Sequence, residues 1–309
     1  MRSEEITLAQ LRALLAVKQE GSMTAAAVML RVTQPVLTRC LQQLERQVGV
    51  TLLRRSSRGA VLNDYGEALV ARARVVNEEL KRAVDEIGQM QGRFSGSVTI
   101  ACSHIPVKLF VPEAIGQLQQ NFPDVEVHII EAVYPEVMEG FRQGVLDFAL
   151  GPVPGKGPGR DYKAALLLKA DIAVVVRKGH PYAGAKSLSD LKDLRWMITG
   201  PVEGPGDIVK KLFAQHGIAP PATPVSLDTV WAALEVIKHS NLVGLIPRLM
   251  IESAKDEVMI VPISEDIAPV RIEVITAKTA ILTPAARALL SAVRASAMSW
   301  QNRPGESGS

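Results

Sequence analysis

Apolar residues recur every three or four positions near the start of the chain, which is the spacing of one buried helix face. The pattern predicts a helix over about 7–18, an alanine-rich second helix capped by Ser22, and a third helix capped by Thr33. The apolar stripe of the third helix consists of Leu37, Leu41, Leu44 and Val48. A weakly alternating segment over about 51–62 follows, so we expect a helix-turn-helix with a small hairpin wing.

A longer periodic segment occupies residues 63–92. Its apolar residues alternate between spacings of four and three, and they are Leu69, Ala73, Val76, Leu80, Ala83, Ile87 and Met90. This is the pattern of a coiled coil, sustained for about three heptads. Because a helix of roughly 40 Å is too long to bury its stripe alone, we expect it to pair with the same helix of a second chain. A helix that lies across its own domain is the alternative.

After a short hinge at 92–96, the pattern changes to short apolar runs that alternate with amphipathic segments. The runs predict strands at about 98–101, 125–130, 146–150, 171–176, 196–199, 242–246, 258–261 and 270–276. The segments between them predict helices at about 109–121, 135–143, 207–216, 229–239 and 283–300. Such alternation favours a parallel sheet with helices on both faces. Residues 302–309 are predicted to form a disordered tail.

Composition and charge refine this picture. A chain of 309 residues suggests two or three domains. The net charge of +3 is unevenly placed, because residues 1–93 carry 14 basic and 10 acidic side chains and the remainder is nearly neutral. Two cysteines suggest no disulfide framework. With no apolar signal segment and no run of membrane length, we expect a cytoplasmic protein without membrane contact.

The basic excess coincides with the predicted helix-turn-helix. Six arginines and one acidic residue, Glu45, lie between positions 31 and 58. Hydrogen-bonding side chains occupy the exposed face of the third helix, at Gln34, Thr38, Arg39 and Gln42. In a helix-turn-helix the N-terminal end of this helix enters the major groove and contacts base edges. An ordinary helical hairpin with a solvated basic rim remains open as the alternative.

The same segment resembles the winged helix-turn-helix of the LysR-type transcriptional regulators. The motifs that carry the resemblance are Ala25-Ala26-Ala27, Thr33-Gln34-Pro35, Leu44-Glu45, Gly49-Val50 and Leu52-Leu53-Arg54-Arg55. Thr33, Leu53 and Cys40 depart mildly from the family pattern, and Cys40 and Thr38 bear on which bases are read. The resemblance implies a DNA-binding domain at 1–62 and a linker helix for dimerisation at 63–92.

The resemblance extends over the rest of the chain by layout. It implies an α/β effector-binding domain at 93–301, two-lobed and akin to the periplasmic solute-binding proteins of type 2. The first lobe would comprise about 93–165 and 270–300, and the second about 166–269. The implied partners are operator DNA, RNA polymerase, a small organic acid as co-inducer, and further copies of the chain in a homodimer that assembles to a homotetramer.

The resemblance also implies functional residues. Bases would be read by Gln34, Pro35, Thr38, Arg39 and Gln42, and the phosphate backbone would be held by Arg54, Arg55 and Arg58. The effector would lie off the carboxyl ends of strands, where hydroxyls and helix N-termini suit a carboxylate or sulfonate. The residues expected there are Ser103, His104, Ile105, Thr199, Gly200, Pro201 and Thr229. For Ser103 and Thr229 a plain helix-capping role is the alternative.

Three further segments resemble the LysR-type subgroup that answers aromatic sulfonates and carboxylates: Tyr134-Pro135, residues 146–150 and Gly204-Pro205-Gly206. The five histidines lack metal-ligand spacing, and the chain holds no common catalytic motif, so we expect neither an enzyme nor a bound metal or cofactor. Two rival classes stay open at this point. One is a solute-binding protein whose N-terminal helices only clamp a dimer, and the other is an enzyme on a binding-protein fold.

Overall fold

The computed structural model describes residues 5–56, 59–153, 157–200 and 208–301, with backbone alone at 55–56 and 59–60. The chain divides into two compact units. The first comprises Met1–Ile87 with Gly140–Val145, and the second comprises Gly88–Glu139 with Leu146–Ser309.

The first unit begins with three short helices and a hairpin. These elements are α1 (Leu8–Glu20), α2 (Met23–Met29), α3 (Gln34–Val48), β1 (Leu53–Ser56) and β2 (Gly59–Leu62). Thr7 and Gln10 form a reciprocal capping box at the start of α1. The turn between α2 and α3 places Arg31 at φ 56°, and Thr33 occupies the N-cap position of α3 without a side-chain cap bond. The predicted order of helix, helix-turn-helix and wing is confirmed.

A small core fixes the orientation of α3. Leu37, Leu41 and Leu44 are buried against α1 and α2, as the apolar stripe predicts. At the far end of the helix, the Glu45 carboxylate accepts hydrogen bonds from the backbone N–H groups of Leu52 at 2.7 Å and Leu53 at 3.2 Å. The carboxylate therefore ties α3 to the first strand of the wing.

The helix α4 (Asp64–Met90) follows the wing, within the limits that the periodicity predicts. Its last turn is held by Gln89, a buried polar side chain of the second unit. The Gln89 amide nitrogen donates to the carbonyl oxygen of Ser95 at 3.0 Å, and its oxygen accepts from the backbone N–H of Ala285 at 2.9 Å. The amide nitrogen and oxygen of Gln89 thus both anchor the end of α4.

The second unit alternates strands and helices. Its first half contains β3 (Ser95–Cys102), α5 (His104–Leu109), α6 (Val111–Asn121), β4 (Asp124–Glu131), α7 (Glu136–Arg142), β5 (Phe148–Gly151), β6 (Tyr162–Ala170) and β7 (Ile172–Arg177). Its second half contains β8 (Met197–Thr199), α8 (Ile208–Gln215), β9 (Val225–Leu227), α9 (Val230–Lys238), β10 (Gly244–Pro247), α10 (Arg248–Ile251), β11 (Val258–Ile260), β12 (Val270–Ala277) and α11 (Pro284–Gln301). Short 3₁₀ turns lie at Leu188–Leu191 and Glu252–Ala254.

Two lobes result from this order. The first contains a five-stranded sheet in the order β4-β3-β5-β12-β6, packed against α6 and α11. The second contains the sheet β10-β7-β11 and the pair β8-β9, which a bridge between Trp196 and Val243 connects. Val270, at the start of β12, packs against the cores of both lobes. The two-lobed α/β fold is confirmed.

Several details differ from the sequence prediction. The sheets are mixed rather than parallel, because β12 runs antiparallel to β5 and β6, and β7 is antiparallel to both neighbours. The strands β6 and β9 are absent from that prediction. The strand β6 belongs to the first lobe up to Ala170, so this lobe extends past the expected boundary at 165. The strand β6 lies at the sheet edge, and its side chains between 163 and 166 are solvent-exposed. Because these side chains do not alternate between buried and exposed, the sequence has no strand pattern there.

Candidate nucleic-acid interface and ligand cleft

The exposed face of α3 forms the first candidate site. Gln34, Pro35, Arg39 and Gln42 are all exposed. Thr38 is half-buried, and its hydroxyl donates a 2.9 Å hydrogen bond to the carbonyl oxygen of Gln34. The Thr38 hydroxyl proton is therefore engaged within the helix, and its oxygen is left to accept. The predicted base-reading residues thus lie together on α3, between its first residue and its middle.

The wing supplies the second part of this surface. The strands β1 and β2 pair antiparallel from Leu53 with Leu62 to Ser56 with Gly59. Arg54 is exposed. Arg55 lies on β1, but its side chain falls outside the described atoms, and Arg58 lies outside the described residues altogether. The exposure of Arg54 suits the predicted contact with phosphate.

The predicted dimerisation seam of α4 divides into two parts. Leu69 packs against the core of the winged helix-turn-helix and Ala73 is buried within the chain, so neither is a free surface. Leu80 is half-buried. The rest of the seam is exposed, with Val76, Ala83, Ile87 and Met90 joined by Val84. Exposed fractions of 55% for Ile87 and 76% for Met90 are high for side chains of this size. The unpaired apolar stripe is therefore shorter than the sequence predicts and begins near Val76.

A cavity of about 430 Å³ lies between the two lobes of the second unit. Five of the predicted effector residues line it, namely Ser103, His104, Ile105, Thr199 and Gly200. Pro201 lies outside the described residues. Thr229 does not line the cavity, because its hydroxyl accepts the backbone N–H of Ala232 at 3.2 Å and caps α9. Its neighbours Asp228 and Val230 line the cavity instead.

Ser103 occupies a special position in the cavity wall. Its backbone N–H donates to the carbonyl oxygen of Leu150 at 2.8 Å, which fixes the residue at the end of β5. Its hydroxyl is buried and has no hydrogen-bond partner among the described residues. A Cβ atom at Gly151 would approach this hydroxyl to 3.3 Å, so the glycine leaves it room. A buried hydroxyl without a partner is destabilising unless a ligand satisfies it.

Most of the remaining cavity wall is aliphatic, which sequence reasoning missed. The aliphatic residues are Val133, Val153, Ile172, Ile208, Leu212, Val230, Leu245, Ile267, Val270 and Ile272. Tyr134 contributes an aromatic ring, and the charged side chains of Lys211, Asp228 and Arg271 also line the space. The guanidinium of Arg271 donates to the Glu273 carboxylate at 2.8 and 3.0 Å. Ile172 and Val270 are the first residues of β7 and β12, where the chain passes from one lobe to the other. No local sequence pattern marks these two passages.

A lysine of the first lobe contacts the second lobe. The ammonium group of Lys108 donates to the carbonyl oxygen of Leu249 at 2.8 Å and lies 5.5 Å from the centroid of the Trp231 ring. Burial lowers the pKa of Lys108, and the nearby Glu252 carboxylate opposes that shift. Trp231 is half-exposed, unlike Trp196, which is fully buried. Lys108 therefore holds the first lobe to the second through a hydrogen bond and a cation–π contact.

The histidine in the cavity wall is uncharged at neutral pH. Burial lowers the pKa of His104 from 6.5 to about 4, because the imidazolium form loses its hydration. His104 can therefore donate or accept a hydrogen bond in the cavity, but it adds no positive charge there.

This pKa predicts an acid sensitivity. Below pH 6.5 the unfolded chain binds a proton at His104, whereas the folded chain does so only near pH 4. Stability is therefore lost as the pH falls through this window, by on the order of 2 kcal/mol at pH 5. We expect calorimetric unfolding of the wild type to lose more stability between pH 7 and pH 5 than that of His104→Gln. Equal losses in the two proteins would contradict the assignment.

Neither cysteine is a candidate reactive thiol. Cys102 is buried, and burial raises the pKa of its thiol; the pKa of Cys40 is raised for the same reason. Across the described ranges, no group of three or more His, Cys, Asp or Glu side chains could hold a metal ion. Neither α4 nor any other described helix combines the length and the apolar character that a membrane span requires.

Two family models match the chain. The model of the LysR substrate binding domain matches residues 91–298. The model of the bacterial regulatory helix-turn-helix protein, lysR family, matches residues 8–67. Together they cover the winged helix-turn-helix and both lobes.

Relatives and solved structures agree with these matches. The HTH-type transcriptional regulator GbpR from Azospirillum brasilense is 26% identical over 295 residues, which cover 94% of this chain and 86% of that protein. The HTH-type transcriptional regulator CbbR from Sinorhizobium medicae is 30% identical over 243 residues, or 78% of this chain and 75% of that protein. Full-length CbnR in complex with its target DNA has the same fold, with a TM-score of 0.69 at 23% identity, covering 94% of this chain and 100% of that one. ArgP from Mycobacterium tuberculosis gives a TM-score of 0.68 at 19% identity, with coverage of 93% and 96%.

Proposed function

The chain belongs to the LysR family of DNA-binding transcriptional regulators, and on this premise we propose that a small organic acid, bound between the lobes, controls how it holds its operator. Membership places the chain among regulators and not among enzymes. The observation that carries the proposal is the largely aliphatic cavity with the buried, unpartnered hydroxyl of Ser103. Such a cavity is a ready site for a small molecule.

The DNA half of the proposal rests on α3 and the wing. Gln34, Pro35, Arg39 and Gln42 contact base edges in the major groove, and Thr38 contributes as an acceptor. Arg54, Arg55 and Arg58 hold the phosphate backbone. Arginine at a phosphate fixes the position of a protein on the duplex without reading its sequence.

The effector half follows from the chemistry of the cavity. An apolar body, aromatic or aliphatic, would lie against the aliphatic wall and Tyr134. Its acidic group would accept a hydrogen bond from the Ser103 hydroxyl and lie near the first turn of α9, whose free N–H groups favour an anion. Lys211 supplies a positive charge to the same cavity. A carboxylic or sulfonic acid therefore satisfies the polar and the apolar parts together.

We further propose that the exposed stripe of α4 pairs with the same stripe of a second chain, and that these dimers assemble to tetramers on DNA in the cytoplasm. A dimer places two copies of α3 on two half-sites, which explains recognition of an interrupted palindrome. Closure of the cleft on the acid would change the geometry of the assembly, the bend of the DNA and the contact with RNA polymerase.

The hydroxyls of Ser103 and Thr229 are expected to have different roles, the first in effector binding and the second in folding stability. We expect Ser103→Ala to leave the free energy of unfolding unchanged or slightly higher, because it removes a buried hydroxyl without a partner. The same change should weaken effector binding about tenfold. Thr229→Ala should instead lower stability by about 1 kcal/mol through loss of the α9 cap.

The measurement is a thermal-shift screen of aromatic and aliphatic carboxylates and sulfonates, repeated on both variants. A stabilising acid whose affinity is unchanged by Ser103→Ala would remove Ser103 from the site. A panel in which no acid stabilises the wild type would contradict the proposed effector class.

A further inference from the structure

Val36 is an exposed aliphatic side chain at the N-terminal end of α3. It lies outside the buried stripe of Leu37, Leu41 and Leu44, and half of its surface is exposed. Pro35 precedes it and is exposed as well. The first turn of the helix thus presents two adjacent apolar residues among polar ones.

The position of Val36 relative to Arg39 places it on the same exposed face. Residues three apart are neighbours on a helix surface, so Val36 and Arg39 are adjacent on the exposed surface of α3. The next neighbour along this row is Gln43, which is also exposed. Together with Pro35, Val36 therefore adds apolar surface beside the hydrogen-bonding groups of this helix.

We propose that Val36 reads the C5-methyl group of a thymine in the operator, an inference that rests on the proposed binding of α3 in the major groove. Thymine alone among the four bases presents a methyl group there. Against the amino group of cytosine or adenine, the valine would remove a polar group from water without a hydrogen bond, which is unfavourable. Val36 thus selects thymine both by contact and by exclusion, whereas Arg39 selects by hydrogen bonding.

The test replaces thymine by deoxyuracil, which removes the methyl group and leaves the base-pairing edge intact. Binding sites are first selected by the full-length protein from a random duplex library. Each thymine of the selected site is then replaced singly, and affinity is measured by gel shift for the wild type, for Val36→Ala and for Val28→Ala. Val28, on α2, is a matched control because it is a valine with 73% of its surface exposed.

For one thymine in each half-site, the replacement should weaken wild-type binding by about fourfold, the equivalent of one buried methyl group. Val36→Ala should bind the thymine and deoxyuracil sites equally, whereas Val28→Ala should behave as the wild type. Unchanged affinity of all variants for random DNA would show that each is folded.

The outcomes separate this inference from the proposed function. A scan in which no thymine matters, or in which the sensitivity survives Val36→Ala, would overturn the role of Val36 while binding to the selected site still stands. Failure of the library to yield any bound duplex would overturn the DNA-binding proposal and this inference together.

Discussion

Replacing Ala83 by aspartate is expected to dissociate the proposed dimer and to weaken operator binding by about two orders of magnitude or more. Ala83 lies in the exposed stripe of α4, between Val76 and Ile87. Because each chain would contribute one carboxylate to the proposed seam, the dimer would bury two of them. Since each buried, unpaired charge costs several kcal/mol, two of them exceed what a short apolar seam supplies.

The chain offers a matched control on the same helix. Ala71 is also exposed, and its sixteen-residue separation from Ile87 places it on roughly the opposite side of α4. Ala71→Asp has the same change in charge and helix propensity, so it should leave the assembly intact. Sedimentation equilibrium and gel shift measure both effects. A dimer that survives Ala83→Asp, or one that is lost in both variants, would contradict the pairing of α4.

Arg39→Ala should cost about 1–3 kcal/mol of binding free energy at one base position and relax the preference there. Arg54→Ala, in contrast, should weaken binding to all sequences alike and reduce the dependence of affinity on salt by roughly one counterion. Both arginines are exposed, but Arg39 lies on α3 and Arg54 lies on the wing. The difference separates base reading from phosphate contact.

The measurement is a salt titration of each variant on selected and on random duplexes. Arg195→Ala is the control, since Arg195 is an exposed arginine of the second unit, outside the proposed DNA surface. If Arg39→Ala lost affinity equally for operator and random DNA, Arg39 would be a phosphate contact and the base-reading assignment would be wrong.

The winged helix-turn-helix was predictable because its structure is encoded locally. The stripe of Leu37, Leu41 and Leu44 specifies which face of α3 is buried, and the caps lie within a few residues of the helix ends they close. The exposed face, which carries the candidate DNA contacts, follows directly from the buried one. For the same reason the limits of α4 were predictable from its periodicity.

Features that depend on contacts distant in sequence were not predictable in the same way. Leu69 and Ala73 continue the heptad pattern of α4, but Leu69 packs against the core of the winged helix-turn-helix and Ala73 is buried within its own chain. The edge strand β6 has no regular apolar alternation and is defined by its pairing with β12, about a hundred residues later. The periodicity of a helix indicates which of its residues form an apolar face. It does not indicate whether that face packs within the chain or against a second chain.

The candidate effector site was predictable in part. Strand ends and helix starts pointed to Ser103, His104, Ile105, Thr199 and Gly200, all of which line the cavity. Thr229 caps its helix instead. A hydroxyl at a helix start can either cap the helix or face a cavity, and the sequence does not distinguish these two roles. The aliphatic wall is assembled from both lobes and both crossings, so no single segment reveals it.

The most direct test of a ligand-responsive DNA regulator is footprinting of the full-length protein on the DNA upstream of its own gene, with and without acids from the screen. We predict a protected interrupted palindrome whose footprint shortens or shifts when one aromatic or aliphatic acid is added. Protection that no acid changes would contradict the effector proposal. Absence of protection at low salt would contradict the proposed recognition of this DNA.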